Sequence, residues 1–121
     1  MPSVLVVDDE DQIRSVVSRL LAHDGHRVFT VGSGREAIRK LQEDRYDVLM
    51  LDVRLPDESS SETMTEIRDR APHLPIVVMS GQLGFDDRSV SSLIEGCGAC
   101  VRLAKPFSLE ELRCALSEAL A

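Results

Sequence analysis

The order of apolar and polar positions along the chain alternates between short apolar runs and amphipathic segments. Val4–Val7, in "VLVVDDE", is apolar throughout and mostly β-branched, the pattern of a strand buried on both faces of a parallel sheet. "DQIRSVVSRLLAHDGH" then places Ile13, Val16, Val17, Leu20 and Leu21 at helical spacing on one face, and Gly25 supplies a stop. "HRVFTV" predicts a short strand and "SGREAIRKLQED" a helix burying Ala37, Ile38 and Leu41; "YDVLMLDV" is a second fully apolar strand, ending in an acid at Asp52. "RLPDESSS" reads as a loop, and a helix is predicted from about Ser61 to Arg70, with Pro72 and Pro75 punctuating its end. "IVVMS" is a third apolar strand, ending at Ser80. The glycine-containing loop "GQLGFDD" leads into a helix through Val90, Leu93 and Ile94, closed by Gly96 and Gly98. "ACVRL" is the last strand. "SLEELRCALSEAL" opens on a capping box, Ser108 as N-cap and Glu111 three residues on, and carries a stripe of Leu109, Leu112, Leu116 and Leu120.

Five strands and five helices in strict alternation imply parallel strands joined by right-handed helical crossovers, with helices on both sheet faces: a three-layer α-β-α fold. The 121 residues suit one core, and no linker, repeat or low-complexity segment interrupts them, so residues 1–121 are expected to form a single domain with no effector domain in this chain. Apolar residues at 43% and charged residues at 29% give a globular balance, and aromatics at 3% leave the core to aliphatic side chains.

A net charge of −7 argues against direct nucleic-acid binding through a basic surface and fits a cation site or a basic partner. No apolar run is long enough to span a bilayer and no signal-peptide pattern opens the chain, so no membrane association is expected. Three cysteines, Cys97, Cys100 and Cys114, are an odd count that points to a reducing, cytoplasmic setting.

Candidate chemistry sits at the strand ends. In an open α/β sheet, ligands bind beyond the carboxyl ends of the strands. The first strand here runs into Asp8, Asp9 and Glu10, the third ends at Asp52, the fourth at Ser80, and the fifth is followed by Lys105 and Pro106. Gathered on one rim, the acids would repel one another unless a hard divalent cation, Mg²⁺ (or Mn²⁺), balanced them through oxygen ligands. Acids, a lysine and a hydroxyl together point to phosphoryl chemistry, with a carboxylate attacking phosphorus while cations neutralise its oxygens. Any one of these residues alone is better read as a turn or helix-capping residue.

Other constellations have plainer readings. Cys97 and Cys100 have C-x-x-C spacing at a helix end rather than a helix start, and are read as small core residues. His23, His26 and His73 lack ligand spacing. The serines of "ESSSE" are explained by helix capping.

Taken in order, "VLVVDDE", "DVLMLDVRLP", "PIVVMSG" and "LAKPFSLEEL" resemble the receiver (CheY-like) domain of two-component response regulators, over essentially the whole chain. The resemblance implies a flavodoxin-like sheet of order 2-1-3-4-5. It implies that Asp52 is the phosphoacceptor, taking phosphoryl from a sensor histidine kinase or a histidine phosphotransfer protein. Asp8, Asp9, Asp52 and the backbone carbonyl of Arg54 would hold Mg²⁺. Ser80 and Lys105 would bind the phosphoryl group, and the bond before Pro106 is a candidate cis peptide.

Four departures from the family pattern stand out. Arg102 takes the place of a switch aromatic. Ser80 and Lys105 are 25 positions apart, a few more than usual. Ser59, Ser60 and Ser61 replace a loop that normally carries glycine. Arg54 and Gln82 occupy the positions that tune phosphoryl lifetime. The expected function is a phosphoacceptor signalling domain of a two-component phosphorelay that switches an unknown downstream effector. It is not an enzyme with an external substrate, and only assists its own phosphorylation and dephosphorylation. The alternative is a constitutive, non-switching interaction module on the same fold. An independent phosphatase would need a cap insertion, and none is visible.

Overall fold

The computed structural model describes residues 2–52, 60–81 and 100–121. In it β1 (Ser3–Val7), β2 (Arg27–Val31), β3 (Val48–Asp52), β4 (Ile76–Gly81) and β5 (Cys100–Lys105) pair in parallel in the order β2-β1-β3-β4-β5. The described helices are α1 (Asp11–His23), α2 (Gly34–Glu43), α3 (Ser60–Arg70) and α4 (Leu109–Leu120). The helix expected through Val90, Leu93 and Ile94 lies outside the described residues, as do Arg54, Ser59, Gln82 and Cys97. Fold class and strand order are those expected from the sequence.

Side-chain alternation along each strand splits the interior into two layers. Leu5, Val7, Leu49, Leu51, Ile76 and Val78 pack with Ala37 of α2 and with Met64 and Ile67 of α3. Val4, Val6, Val48, Met50, Val77 and Met79 pack on the other face with Val17 and Leu21 of α1 and with Leu112, Ala115 and Leu116 of α4. Central strands covered on both faces must be apolar at every position, which is why β1, β3 and β4 read as unbroken runs.

The helix ends follow local chemistry. Gly25, at φ +89°, takes the left-handed turn after α1 that a side chain would resist. Ser33 caps α2 by accepting from the Glu36 N–H. Arg68 donates from Nη1 to the carbonyls of Ala71, Pro72 and Leu74, satisfying backbone groups where α3 ends before two prolines. The predicted capping box of α4 forms in both directions: Ser108 Oγ accepts from the Glu111 N–H at 3.1 Å, and Glu111 Oε1 accepts from the Ser108 N–H at 3.0 Å. Ser108→Ala is expected to lower stability by about 1 kcal/mol, read from a urea midpoint.

Two expectations need correction. Val16, assigned to the buried stripe of α1, is 54% exposed; the stripe is Val17 and Leu21, flanked by Ile13 and Leu20. Val16 and Val17 stand 100° apart on the helix, so only one of them can lie at the centre of the stripe. Cys100 does pack against the α2–α3 layer, but it is also disulfide-bonded, which a reduced core cysteine would not be. Cys114 is free and exposed. Among the described residues no helix is long and apolar enough to cross a membrane.

Candidate functional site

The parallel register decides which polar residues meet. Val7 pairs with Leu51, so the next residues, Asp8 and Asp52, stand side by side where the two strands end. Asp52 pairs with Met79, and Gly81 with Lys105. By alternation Asp8 follows Val4 and Val6, Asp52 follows Val48 and Met50, and Lys105 follows Leu103, all on the α1–α4 face. Three charged residues distant in sequence thereby share one edge of the sheet.

Asp8 is fully buried and Asp52 nearly so. Two buried carboxylates side by side are untenable without a cation. Lys105 supplies one: its Nζ lies 2.6 Å from Asp8 Oδ2, 3.0 Å from Asp52 Oδ2 and 3.8 Å from Glu10 Oε1. The other oxygen of Asp8 accepts from the Glu10 N–H at 2.9 Å, so both of its oxygens are engaged. Burial opposes the charge on Lys105 and is the largest single influence on it. The hydrogen bonds to Asp8 and Asp52, with the charges of those two acids, together outweigh burial and hold the ammonium's pKa above its ordinary value.

Among the described residues of this edge, the acids outnumber the ammonium that pairs with them. Carboxylate oxygens of Asp8, Asp9 and Glu10 all lie within 4.8 Å of one another, a separation that one ion can bridge. All are hard oxygen donors, the set that Mg²⁺ and Mn²⁺ prefer. The residues present therefore fit a divalent cation at this edge.

Ser80 ends the buried part of β4, one residue beyond the register partner of Asp52 and directly across from Ala104, the neighbour of Lys105. It is fully buried, and among the described residues its Oγ has no hydrogen-bond partner. A buried hydroxyl left without a partner costs free energy. Ser80→Ala is expected to raise the stability of the resting protein by about 1 kcal/mol, seen as a higher urea midpoint. A loss of that size would mean that the hydroxyl is bonded in solution.

Asp8, Asp9, Asp52, Ser80 and Lys105 are thus gathered at one edge, and the Lys105–Pro106 peptide is cis. Arg102 is exposed on β5, away from the buried acids. Two members of the site were given no role from sequence. Glu10 joins the acidic cluster and approaches Lys105; its only signal was its place as the third acid in "VLVVDDE". Arg14 donates from Nη1 to the backbone carbonyl of Asp8 at 2.6 Å and pairs with Asp11. The three-residue spacing of Asp11 and Arg14 was the available sign of that pair.

Comparison with known proteins identifies the family. Residues 4–117 match the response regulator receiver domain family. Among curated proteins, the chain is 37% identical over 110 residues to the probable transcriptional regulatory protein TcrX of Mycobacterium tuberculosis, covering 91% of this chain and 46% of that protein. It is 34% identical over 119 residues to the DNA-binding transcriptional regulator NtrC of Bradyrhizobium, covering 98% of this chain and 24% of that one. The chain therefore spans less than half the length of these relatives. Among solved structures, chemotaxis protein CheY4 of Vibrio cholerae superposes with a TM-score of 0.89 at 33% identity over 99% of both chains. TrrA of Thermotoga maritima, solved in complex with Mg²⁺ and BeF, superposes with a TM-score of 0.84 at 28% identity, over 99% of this chain and 100% of that one. Extended over nearly the whole chain and joined to the acidic edge that the fold assembles, this likeness places the protein in the response regulator receiver domain family.

Proposed function

We propose that this receiver domain accepts a phosphoryl group on Asp52, from a phosphohistidine of a sensor histidine kinase or histidine phosphotransfer protein, and thereby alters its contact with a downstream effector. A carboxylate oxygen of Asp52 forms the new O–P bond as the P–N bond breaks, and the departing imidazole nitrogen keeps the electron pair and takes a proton. Asp8 and Asp9, with Asp52 and the Arg54 carbonyl, would hold Mg²⁺ (or Mn²⁺), with Glu10 at the margin. When bound, the ion supplies neutralisation of phosphoryl charge. Lys105 offers an ammonium to the phosphoryl oxygens, and the unpartnered hydroxyl of Ser80 offers a donor. By the family resemblance, Arg54 and Gln82 would tune the lifetime of the phosphoryl group.

The observation that carries this proposal is the ammonium of Lys105 held between Asp8 and Asp52, with the orphan Ser80 hydroxyl at the adjoining strand end. A site with a cation already poised between two acids, and a donor left without a partner among the described residues, suits an incoming anion. The Mg²⁺–BeF complex of TrrA adds support by likeness. Residues 1–121 would serve as one signalling module, in the cytoplasm, with the chain acting as phosphoacceptor rather than as an enzyme on other substrates.

A second reading, a constitutive module that does not switch, is favoured by Arg102. It stands exposed on β5, where an inward-turning aromatic would be expected. Incubation with acetyl phosphate and Mg²⁺, followed by intact mass and amide spectra, separates the two. A phosphoryl adduct that EDTA prevents, accompanied by shifts of β4 and β5 amides, is expected. An adduct without amide shifts would favour the constitutive module, and no adduct would overturn the phosphoacceptor proposal.

A further inference from the structure

Arg14, at the start of α1, has no part in the phosphoryl chemistry above, yet it is tied to the backbone of the acidic edge. Its Nη1 donates to the Asp8 carbonyl at 2.6 Å, and Nη2 pairs with Asp11. The guanidinium lies against Gly32: a methyl group added there would meet Nη1 at 3.3 Å and Cζ at 3.9 Å. Gly32 is itself held, its N–H donating to Glu36 Oε2 at 3.2 Å, beside the Ser33 cap of α2. Arg14 therefore joins the turn after β1 to the turn after β2, and a side chain at position 32 would disturb the join.

The carbonyl that Arg14 holds belongs to the peptide between Asp8 and Asp9. Asp8's own carboxylate is fixed independently, by the Glu10 N–H and by Lys105. Asp9 is exposed, and no hydrogen bond among the described residues orients its carboxylate. The placement of its Cα and Cβ, and with them the reach of its carboxylate, depends on the peptide plane that carries it. Partners of this kind, one step removed from an ion, fix ligand geometry and commonly matter tenfold or more to affinity.

We propose that Arg14 is a positioning residue for divalent-ion binding: by pinning the Asp8 carbonyl beside Gly32, it aims Asp9 into the acidic edge. This rests on the reading of that edge as a divalent-ion site. Charge and position here predict opposite signs. If Arg14 acted only through its charge, removing it would relieve repulsion of a cation and tighten binding. If it acts by position, removing it loosens Asp9 and weakens binding.

The test is titration of the full chain with Mn²⁺ alone, free ion being counted by electron paramagnetic resonance, at a temperature where circular dichroism shows each variant folded. Arg14→Met is expected to bind about tenfold more weakly than wild type. Gly32→Ala, which keeps the arginine but crowds its guanidinium, should weaken binding in the same direction. Arg14→Lys should fall between Arg14→Met and wild type. A merely structural role would lower the melting temperature of the ion-free protein and leave these affinities unchanged. Binding by Arg14→Met as tight as wild type, or tighter, would overturn the positioning role while leaving the pocket intact. If that variant does not fold, Gly32→Ala decides, and wild-type affinity there would overturn the role. No Mn²⁺ binding by the wild-type chain would instead overturn the divalent-ion reading, and the role of Arg14 with it.

Discussion

Lys105→Met, without divalent ion, is expected to lose about 3 kcal/mol of stability, because methionine keeps the apolar stem and removes the ammonium that pairs with both Asp8 and Asp52. Asp8 is fully buried and Asp52 almost so, and removing one partner of a buried ion pair leaves an uncompensated charge in a medium that solvates it poorly. The variant should recover more stability on adding Mg²⁺ than wild type does, since an ion bound only by the native state at about a hundred times its Kd contributes about 2.7 kcal/mol. The pH dependence should change as well. Lys105 has a folded pKa raised above its unfolded value, so its contribution is fully present below the ordinary lysine pKa and is lost as pH rises through the folded pKa. Wild type should weaken over that alkaline range, and the variant should be flatter there. Urea titrations with Mg²⁺ and with EDTA, at neutral and alkaline pH, check all three expectations. Equal stability of the two proteins in EDTA would mean that the lysine bridge does not exist in solution.

Asp52→Asn is expected to abolish phosphoryl acceptance outright, because an amide nitrogen or carbonyl does not replace a carboxylate as nucleophile toward phosphorus. The same change should alter stability by no more than about 1 kcal/mol, since Lys105 and Asp8 then form a balanced one-to-one pair. A fall in activity with stability retained separates a chemical role from a scaffolding one. Acetyl phosphate labelling followed by intact mass, beside a urea midpoint, measures both. Undiminished labelling of Asp52→Asn would place the acceptor elsewhere.

The fold was legible because the central strands are covered on both faces, so β1, β3 and β4 had to be continuous apolar runs, and the alternation with helices left one kind of sheet. The Ser108–Glu111 box was legible because it is local. Much of the site was legible too, as acids, a hydroxyl and a lysine placed after strands whose ends a parallel sheet brings together. What the sequence could not supply was burial and reach. Asp8 and Asp9 are identical neighbours, yet alternation buries the first completely and leaves the second exposed. The contact of Lys105 with Asp8 spans 97 positions and depends on register. Val16 was misplaced because a helical stripe containing two adjacent valines does not say which is central. Arg14 escaped notice because its partner is a backbone carbonyl, which no residue type advertises. Arg102 showed the same limit: it was readable as a departure from the family pattern, but its consequence depends on what packs beside β5.

The most direct test of the central claim, that this edge delivers phosphoryl to one carboxylate, is borohydride reduction of the chain after acetyl phosphate treatment in Mg²⁺, followed by peptide sequencing. Reduction converts an aspartyl phosphate to homoserine at the residue that carried it. Homoserine at position 52 alone is the predicted result. Homoserine at position 8 or 9, or none at all when labelling has been seen by mass, would contradict it.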